Sequence, residues 1–280
     1  MKQNILVIGG TGKTGRRIVK LLNAQGHTVR IGSRSGKPAF DWHDPDHWPK
    51  AVEGMDAIYI TYQPDLAVPG ALEAIEMLVK VAKRFSVKKL VLLSGKGEKE
   101  AQLCEQVVIH SGLDYTIVRA NWFNQNFSEN FLVEGILAGH VALPFANMKI
   151  PFVDANDIAE VAVKALTEDK HDGQIYELTG SEGLTFKEAT EVIAKATGRT
   201  IAFTPMTSEA DVDVLKAHQL PDDFVWLIEY LFTEVLGNPS NSEIAHDIEK
   251  VLGRKPIRFE SYVEETVKTG VWNVPVESLT

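Results

Sequence analysis

The sequence has one cysteine, no clustered metal ligands and no long apolar run. With Cys104 alone among 280 residues, an internal disulfide is excluded. The eight histidines form no HExxH motif, so we predict no metal site. No run of about 18 apolar residues is present, and the N-terminal MKQNILVIGG reads as a strand rather than a signal peptide. We therefore expect no membrane partner and a cytoplasmic location.

Basic residues are too few to serve a nucleic acid partner. Lys and Arg number 29 against 38 Asp and Glu, which gives a net charge of -9. A protein that binds a phosphate backbone needs clustered positive charge, so nucleic acid is excluded as the main partner. We expect a small-molecule substrate and a monomer or homodimer.

What is present is a regular alternation of short apolar runs and longer helical patterns. The predicted strands are 4–8, 28–31, 57–61, 89–93 and 115–118, with helices at 13–25, 70–85 and 98–111. Continuously apolar strands separated by helices indicate a parallel sheet covered on both faces. We predict an α/β fold, in which a doubly wound parallel Rossmann sheet is joined to a smaller, mainly helical C-terminal substrate domain.

The pattern changes after about Trp122, and this sets the predicted domains. Helices are expected over 124–138 and 156–166, a late strand over 175–178, and a helix that Gly198 ends after Thr197. The remainder, 200–272, is predicted to be mainly helical, with breaks at Pro205, Pro221 and Pro239. We assign 1–155 to an NAD(P)-binding Rossmann domain and 156–280 to a substrate or cap region, with interleaved segments.

The strongest motif is the glycine-rich turn GGTGKTG between the first strand and the first helix. Gly9 permits a tight turn, Gly12 lets the backbone approach a pyrophosphate, and Gly15 allows close helix packing. The P-loop alternative fails because GxxxxGK[ST] would need glycine where Val7 stands. We expect a dinucleotide at the helix N-terminus, bound by Gly9, Thr11, Gly12, Lys13, Thr14 and Gly15.

The tip of the second strand points to NADP(H) rather than NAD(H). NAD enzymes usually place a carboxylate there for the ribose 2′-hydroxyl, and this sequence has none. Ser33, Arg34 and Lys37 would instead suit a 2′-phosphate. A solvated loop that happens to be basic is the alternative.

In these motifs and in four further stretches, the chain resembles the NmrA-like group of atypical short-chain dehydrogenases. The four stretches are SRSGKPAFDWHDPDHW, LDYTIVRANWFNQNF, IPFVDANDIAEVA and LGRKPIRFESYV. Within that group the chain is similar to the ergot-alkaloid festuclavine and agroclavine dehydrogenases and to the NAD(P)H:quinone oxidoreductase type. The resemblance implies a Rossmann domain with a small substrate domain, NADPH as hydride donor, and an iminium, quinone or activated alkene as acceptor. The group also includes redox-sensing regulators, so membership does not by itself establish catalysis.

The Tyr-x-x-x-Lys pair of ordinary short-chain dehydrogenases is missing. Counting back from Glu105, the tyrosine and lysine positions fall on Gly97 and Ala101. Hydride addition to an iminium needs no acid, and quinone reduction could use a nearby donor. Ser94 and Lys96, after the fourth strand, are the candidate catalytic residues, although residues in a Gly-rich loop are more often turn residues.

Other residues that follow strands complete the predicted site. We expect the cofactor to be contacted by Thr61, Tyr62 and Gln63, where the chain leaves the third strand, and by Ser94 and Gly95 after the fourth. The expected substrate pocket consists of Asn121, Trp122, Phe123, Phe127 and Trp226, for which core packing is an equal alternative. Arg119 is expected to form a buried ion pair with Asp157 or another carboxylate.

The sequence therefore predicts an NADPH-dependent oxidoreductase that transfers hydride to an unsaturated small molecule. The alternative is a non-catalytic NADP(H)-binding regulatory protein that senses redox state.

Overall fold

The structure, a computed structural model, describes residues 2–274. Its strands are β1 (Asn4–Ile8), β2 (Thr28–Gly32), β3 (Ala57–Ile60), β4 (Lys89–Gly95), β5 (Asp114–Ala120), β6 (His140–Leu143), β7 (Gln174–Leu178) and β8 (Ala202–Pro205). Six of them form one sheet in the order β2-β1-β3-β4-β5-β7, and every neighbouring pair is parallel. The order reverses beside β1, as a doubly wound sheet requires, so the predicted fold class is confirmed.

The helices cover most of the remaining described chain. They are α1 (Lys13–Ala24), α2 (Trp48–Val52), α3 (Ala71–Arg84), α4 (Lys99–Ile109), α5 (Asn126–Glu129), α6 (Leu132–Ala138), α7 (Ala155–Thr167), α8 (Phe186–Thr197), α9 (Ser208–Ala217), α10 (Asp222–Tyr230), α11 (Asp247–Leu252) and α12 (Phe259–Val267). A π-helical segment, Leu231–Leu236, continues α10, and short 3₁₀ turns lie at Pro45–His47, Asp169–His171 and Pro239–Ser242. Among residues 2–274, no helix combines the length and apolarity needed to cross a membrane.

The chain divides into two compact units. Of the described residues, the first unit comprises 2–120, 155–178 and 246–254, and the second comprises 121–154, 179–245 and 255–274. The sequence placed one principal boundary at residue 155, whereas these contacts assign 121–154 to the second unit and α7 with β7 to the first. The reason is local, because α7 packs on α1 and β7 pairs with β5 at the sheet edge.

An ion pair explains why 246–254 belongs to the first unit. Arg254, after α11, places one Nη 2.7 Å from Asp157 Oδ1 and the other 2.8 Å from Glu160 Oε2, both on α7. Asp157 is fully buried, and a buried carboxylate needs such a partner. Arg254 thus contacts Asp157, for which the sequence had suggested Arg119 as one possible partner.

The core of the first unit lies on both sides of its sheet. The side chains of Ile5–Val7 and Ile58–Ile60 are entirely buried, as the continuous apolar runs predicted. Gly32 at the end of β2 is required by packing, since an added Cβ would lie 2.9 Å from the Cα of Ile8. This sheet fixes the positions of the loops that follow β1 to β4.

The second unit departs from the predicted helices at two places. The single helix expected over 124–138 is two helices, α5 and α6, because Asn130 is extended (φ -152°, ψ -162°). The region expected to be mainly helical also contains β8, which pairs in parallel with β6. Four residues are too short to show a strand period, so the sequence carried no clear signal for this strand.

Candidate functional site

The glycine-rich turn is packed so tightly that an added Cβ would collide with its surroundings at Gly9 and Gly15. Gly9 has φ +68°, and a Cβ there would strike Thr61 Cγ2. At Gly15 a Cβ would run into the carbonyl oxygen of Gly9 and lie 2.8 Å from the Cα of Gly10. Gly12 is different, because its Cβ would meet only the Gly9 oxygen, at 3.2 Å. Gly9 and Gly15 are needed by the fold itself, whereas Gly12 leaves open space above the helix end.

The N-terminus of α1 has the properties of an anion site. Gly12 is its N-cap residue, no side chain caps the helix, and the first turn has no acidic residue. The first N–H groups of a helix have no acceptor within it, and the helix dipole adds partial positive charge there. The Thr14 side chain points inward, where its hydroxyl accepts a hydrogen bond of 2.9 Å from Tyr59 Oη. Only the Thr14 backbone can therefore face a ligand.

An open groove runs along the edge strand β2 and the loop that follows it. Its volume is about 460 Å³, and it is lined by Thr11, Thr28, Val29, Arg30, Ile31, Ser33, Ser35, Gly36, Lys37 and Met55. The Ser33 carbonyl accepts hydrogen bonds from Gly36 N (3.0 Å) and Phe40 N (2.9 Å), which folds the loop back on itself. Arg34 and Lys37 are exposed, and within residues 2–274 neither is paired with a carboxylate. Both cations are thus available to an anion.

Four aromatic rings connect the β2 loop with the end of β3. Trp42 stacks edge-on against Phe40 (5.0 Å between centroids) and Trp48 (5.4 Å), and lies 4.7 Å from the Tyr62 ring. The Trp42 indole N–H also donates to the Thr61 carbonyl over 3.2 Å. Thr61 and Tyr62 are thereby fixed, while Gln63 remains exposed. The FDWHDPDHW stretch holds this loop in place, a role that the sequence did not reveal.

Ser94 lies in a buried polar network at the end of β4. Its hydroxyl donates to Glu105 Oε1 over 2.7 Å, and Glu105 is completely buried. Arg119 on β5 donates to both carboxylate oxygens of Glu105, with an Nη2–Oε2 distance of 2.6 Å. This contact raises the pKa of the Arg119 guanidinium above its usual value. The buried ion pair predicted for Arg119 therefore exists, but with Glu105 rather than Asp157.

Lys96 occupies the other side of the same network. Its side chain is buried, and its Nζ lies 3.7 Å from Glu177 Oε2, while Glu177 Oε1 lies 3.7 Å from Arg119 Nη1. The Lys96 N–H donates to the Ala120 carbonyl over 3.0 Å. Ser94 and Lys96 therefore both adjoin this network, through carboxylates that the sequence did not assign to them.

A pair of carboxyl groups bridges the loops after β3 and β4. Buried Glu98 is hydrogen-bonded to Asp65, and its carboxyl group covers Gly95 so closely that a Cβ there would strike it. Burial and the nearby charge of Asp65 raise the pKa of Glu98 well above its usual range, with smaller contributions from Glu100 and Glu105. The pKa of Asp65 is also raised by burial. The pair consequently shares one proton at a pH where separate carboxyl groups are ionised.

We expect this shared proton to make folding stability depend on pH. The folded chain binds the proton more tightly than the unfolded chain does, so the free energy of unfolding should fall as pH rises above the usual carboxyl range. One proton limits the slope to about 1.4 kcal/mol per pH unit. Glu98→Gln keeps a neutral hydrogen-bonding group, so its stability should change less between about pH 5 and pH 8.

Urea unfolding across that pH range tests the prediction. Glu76→Gln, an exposed position on α3, serves as the control and should keep the pH profile of the unmodified chain. Parallel profiles for the unmodified chain and Glu98→Gln would show that no proton is shared.

In the second unit, the residues expected to form a pocket gather around Trp122. Its half-buried ring lies 5.1 Å from Phe232, 5.6 Å from Phe186 and 6.5 Å from Phe131. Within residues 2–274 the Trp122 indole N–H has no acceptor. One surface of this ring is therefore supported by aromatic packing, while another part is accessible.

The other predicted pocket residues have different environments. Phe127 is fully buried among Phe152, Phe186 and Phe259, so it belongs to the core. Phe123 forms a β-bridge with Val153, and Asn121 donates to the Asn241 carbonyl. Trp226 is 42% exposed and stacks on Tyr230 at 5.4 Å, with no ring contact to Trp122. Of the five predicted pocket residues, Trp122 and Phe123 are partly buried and Trp226 is exposed.

No group of three or more potential metal ligands is found among the described residues. The groups of the first unit that could bind a ligand are instead backbone N–H groups, hydroxyls and cations.

A family model described as the NmrA-like family matches residues 1–267. The chain belongs to the NmrA-like family. The resemblance predicted from the sequence is thus confirmed. Prestalk A differentiation protein A of Dictyostelium discoideum is 30% identical over 282 residues, covering 95% of this chain and 93% of that protein. Festuclavine dehydrogenase of Aspergillus fumigatus is 30% identical over 288 residues, covering 93% and 97% of the two chains.

A solved structure has the same fold. The NADPH-dependent quinone oxidoreductase of Escherichia coli, in complex with NADPH, matches with a TM-score of 0.74 and 20% identity. The match covers 94% of this chain and 99% of that one. At this level of identity the likeness concerns the fold.

Proposed function

We propose that this NmrA-like protein is an NADPH-dependent oxidoreductase that transfers hydride to an unsaturated small molecule, namely an iminium, a quinone or an activated alkene. The observation that carries the proposal is the uncapped N-terminus of α1 beneath the open space at Gly12, beside a groove that Lys37 lines and a loop that exposes Arg34. These groups fit the pyrophosphate and the 2′-phosphate of a dinucleotide. The dehydrogenase and quinone oxidoreductase among the similar proteins support the reaction class.

In this proposal, each loop of the first unit has a separate task. The backbone from Gly9 to Gly15, with Thr11 and Lys13, holds the pyrophosphate, and Ser33, Arg34 and Lys37 bind the 2′-phosphate. The ends of β3 and β4, with Thr61, Tyr62, Gln63, Ser94 and Gly95, orient the rest of the cofactor. NADP(H) is therefore preferred over NAD(H), because an exposed guanidinium attracts a phosphate and gains little from a hydroxyl.

Hydride transfer requires little of the protein beyond holding the cofactor and the substrate in position. A bound reduced nicotinamide supplies the hydride. Ser94 commits its own proton to Glu105, so toward a ligand its oxygen serves as a hydrogen-bond acceptor. Lys96 is the group that we propose as proton donor when a quinone oxygen gains negative charge. In the second unit, Asn121, Trp122, Phe123 and Trp226 are proposed to contact the substrate, with Phe127 as support.

The test measures NADPH oxidation in the presence of each member of a panel of quinones, cyclic iminium ions and enals. The oxidation is monitored as the loss of NADPH absorbance. NADPH binding is measured in parallel by calorimetry. Turnover with one class supports the proposal and identifies the electrophile. Tight binding without turnover on any class contradicts it and favours a non-catalytic protein that responds to NADP(H).

Arg34→Ala is expected to reduce the preference for NADPH over NADH about tenfold or more. A hydrogen bond to a charged group contributes about 1.5–3 kcal/mol, and only NADPH has the charged group at this place. The ratio of the two dissociation constants is the measurement. Lys80→Ala, an exposed cation on α3, is the matched control. An unchanged ratio would remove Arg34 from the 2′-phosphate site.

A further inference from the structure

The segment Leu231–Leu236 is π-helical, with the Gly237 N–H donating to the Phe232 carbonyl five residues earlier, over 3.1 Å. π-helical turns are rare and occur frequently at functional sites. A single turn of this kind adds one residue, which rotates the following side chains by about 100° relative to an α-helix. The segment therefore determines which side chains on either side of it share a face.

A buried asparagine stabilises this wide turn from outside. Asn241, 5% exposed, donates from its Nδ2 to the Val235 carbonyl oxygen over 2.5 Å. The backbone carbonyl oxygen of Asn241 accepts from Asn121 Nδ2 over 2.8 Å, and Asn121 Oδ1 accepts from the Trp122 N–H over 2.7 Å. Three hydrogen bonds thus connect the π segment with the backbone of Trp122, more than a hundred residues away in the sequence.

This connection places the Phe232 ring against the Trp122 ring. Phe232, within the π segment, is 2% exposed and lies 5.1 Å from the Trp122 ring at an angle of 55°. Phe186 supports the same indole from a second direction, at 80°. A ring supported in this way is a rigid flat surface, and flat aromatic molecules stack on such surfaces.

We propose that Asn241 is a positioning residue that keeps Phe232 behind Trp122, and so makes the Trp122 ring a platform selective for fused-ring planar substrates. This inference rests on the proposed function. A single-ring electrophile covers less of the indole and depends less on its exact orientation. The proposed substrate class is therefore planar molecules with two or more fused rings.

The first variant is Asn241→Asp, which keeps the size of the side chain and removes the donor to Val235. We expect kcat/KM for a naphthoquinone or a fused-ring iminium to fall about tenfold relative to benzoquinone, mainly through KM. NADPH affinity should stay unchanged. Glu234→Gln, an exposed position in the same π segment, is the control and should keep the selectivity of the unmodified chain.

The second variant acts on the π segment without altering Asn241. At Gly237 a Cβ would strike the Thr233 carbonyl oxygen, so Gly237→Ala should disturb the turn and shift selectivity in the same direction. It keeps the inference testable if Asn241→Asp does not fold. Circular dichroism establishes that each variant is folded.

A readout that needs no turnover separates this inference from the proposed function. Acrylamide quenching of Trp122, obtained as the difference from a Trp122→Phe background, should increase in Asn241→Asp because the ring loses its support. No turnover on any substrate would contradict the proposed function, whereas increased quenching would still support the positioning role. Unchanged quenching and selectivity in folded Asn241→Asp and Gly237→Ala would overturn the inference.

Discussion

Gly12→Val is expected to weaken NADPH binding about a hundredfold or more while costing only about 1 kcal/mol of folding stability. Gly12 has φ -78° and ψ -176°, a conformation that valine adopts readily. Its Cβ would meet only one protein atom within 4 Å, the Gly9 oxygen. Valine is a poorer N-cap than glycine, which accounts for the small stability cost. The branched side chain would instead cover the N–H groups that we assign to the pyrophosphate.

Gly15→Ala provides the contrast that makes this prediction specific. Alanine favours a helix, yet here its Cβ would collide with the Gly9 carbonyl and with Gly10, neither of which is a flexible side chain. Overpacking of this kind costs about 1–3 kcal/mol, so the loss should appear first in stability. Substitution of Gly12 should therefore weaken mainly NADPH binding, whereas substitution of Gly15 should lower mainly the folding stability.

Calorimetric titration with NADPH and urea unfolding, both on each variant, provide the necessary pair of measurements. Normal NADPH affinity in folded Gly12→Val would mean that the dinucleotide does not approach α1. Equal stability losses in the two variants would mean that the turn is uniformly packed, contrary to the distances given above.

Glu105→Ala is expected to destabilise the fold by about 3–5 kcal/mol. The variant removes the carboxylate that accepts a bidentate hydrogen bond from Arg119, and it leaves Ser94 without this acceptor. Removing one partner of a buried pair costs far more than the pair contributes, because the remaining charge has been taken out of water. Glu177, at 3.7 Å from Arg119, is too distant to replace a direct hydrogen bond.

The double variant Glu105→Leu/Arg119→Met tests the cause of this loss. If the loss arises from an unpaired buried charge, removing both charges should restore a large part of the stability. Glu191→Ala is the control, since its pair with Lys187 is 62% exposed on both sides and should contribute less than about 1 kcal/mol. Urea unfolding followed by circular dichroism measures all four proteins. A Glu105→Ala loss no larger than that of Glu191→Ala would contradict the buried network.

Much of the first unit could be predicted because its signals are local. The turn after β1 needs glycine because neighbouring residues leave no room for a side chain. The strands β1 and β3 and the helix α1 were predicted from the period and the length of their apolar patterns. The absence of an acidic residue at the tip of β2 is equally visible in the sequence. Local chemistry therefore indicated both the fold class and the family.

The partners of charged residues could not be predicted in the same way. Arg119 meets Glu105 because β4 and β5 pair with Ser94 opposite Arg119, and this register is set by the whole sheet. Asp65 and Glu98 follow different strands and carry no common spacing signal. Asn241 and the π segment depend on hydrogen bonds across 120 residues, beyond any sequence period. Where the contacts of a side chain depend on residues far away in the sequence, the sequence alone identified the residue types but not their partners.

The interleaving of the two units has a consequence for how the molecule can be divided. The chain passes between them after residues 120, 154, 178, 245 and 254, so neither unit is a continuous segment. A fragment that stopped at residue 154 would lack β7, and the N–H and C=O groups of β5 would form an open sheet edge. Such edges recruit strands from other molecules. The first unit is therefore not a transferable module, and single-cut truncation or domain fusion at this point should yield aggregates.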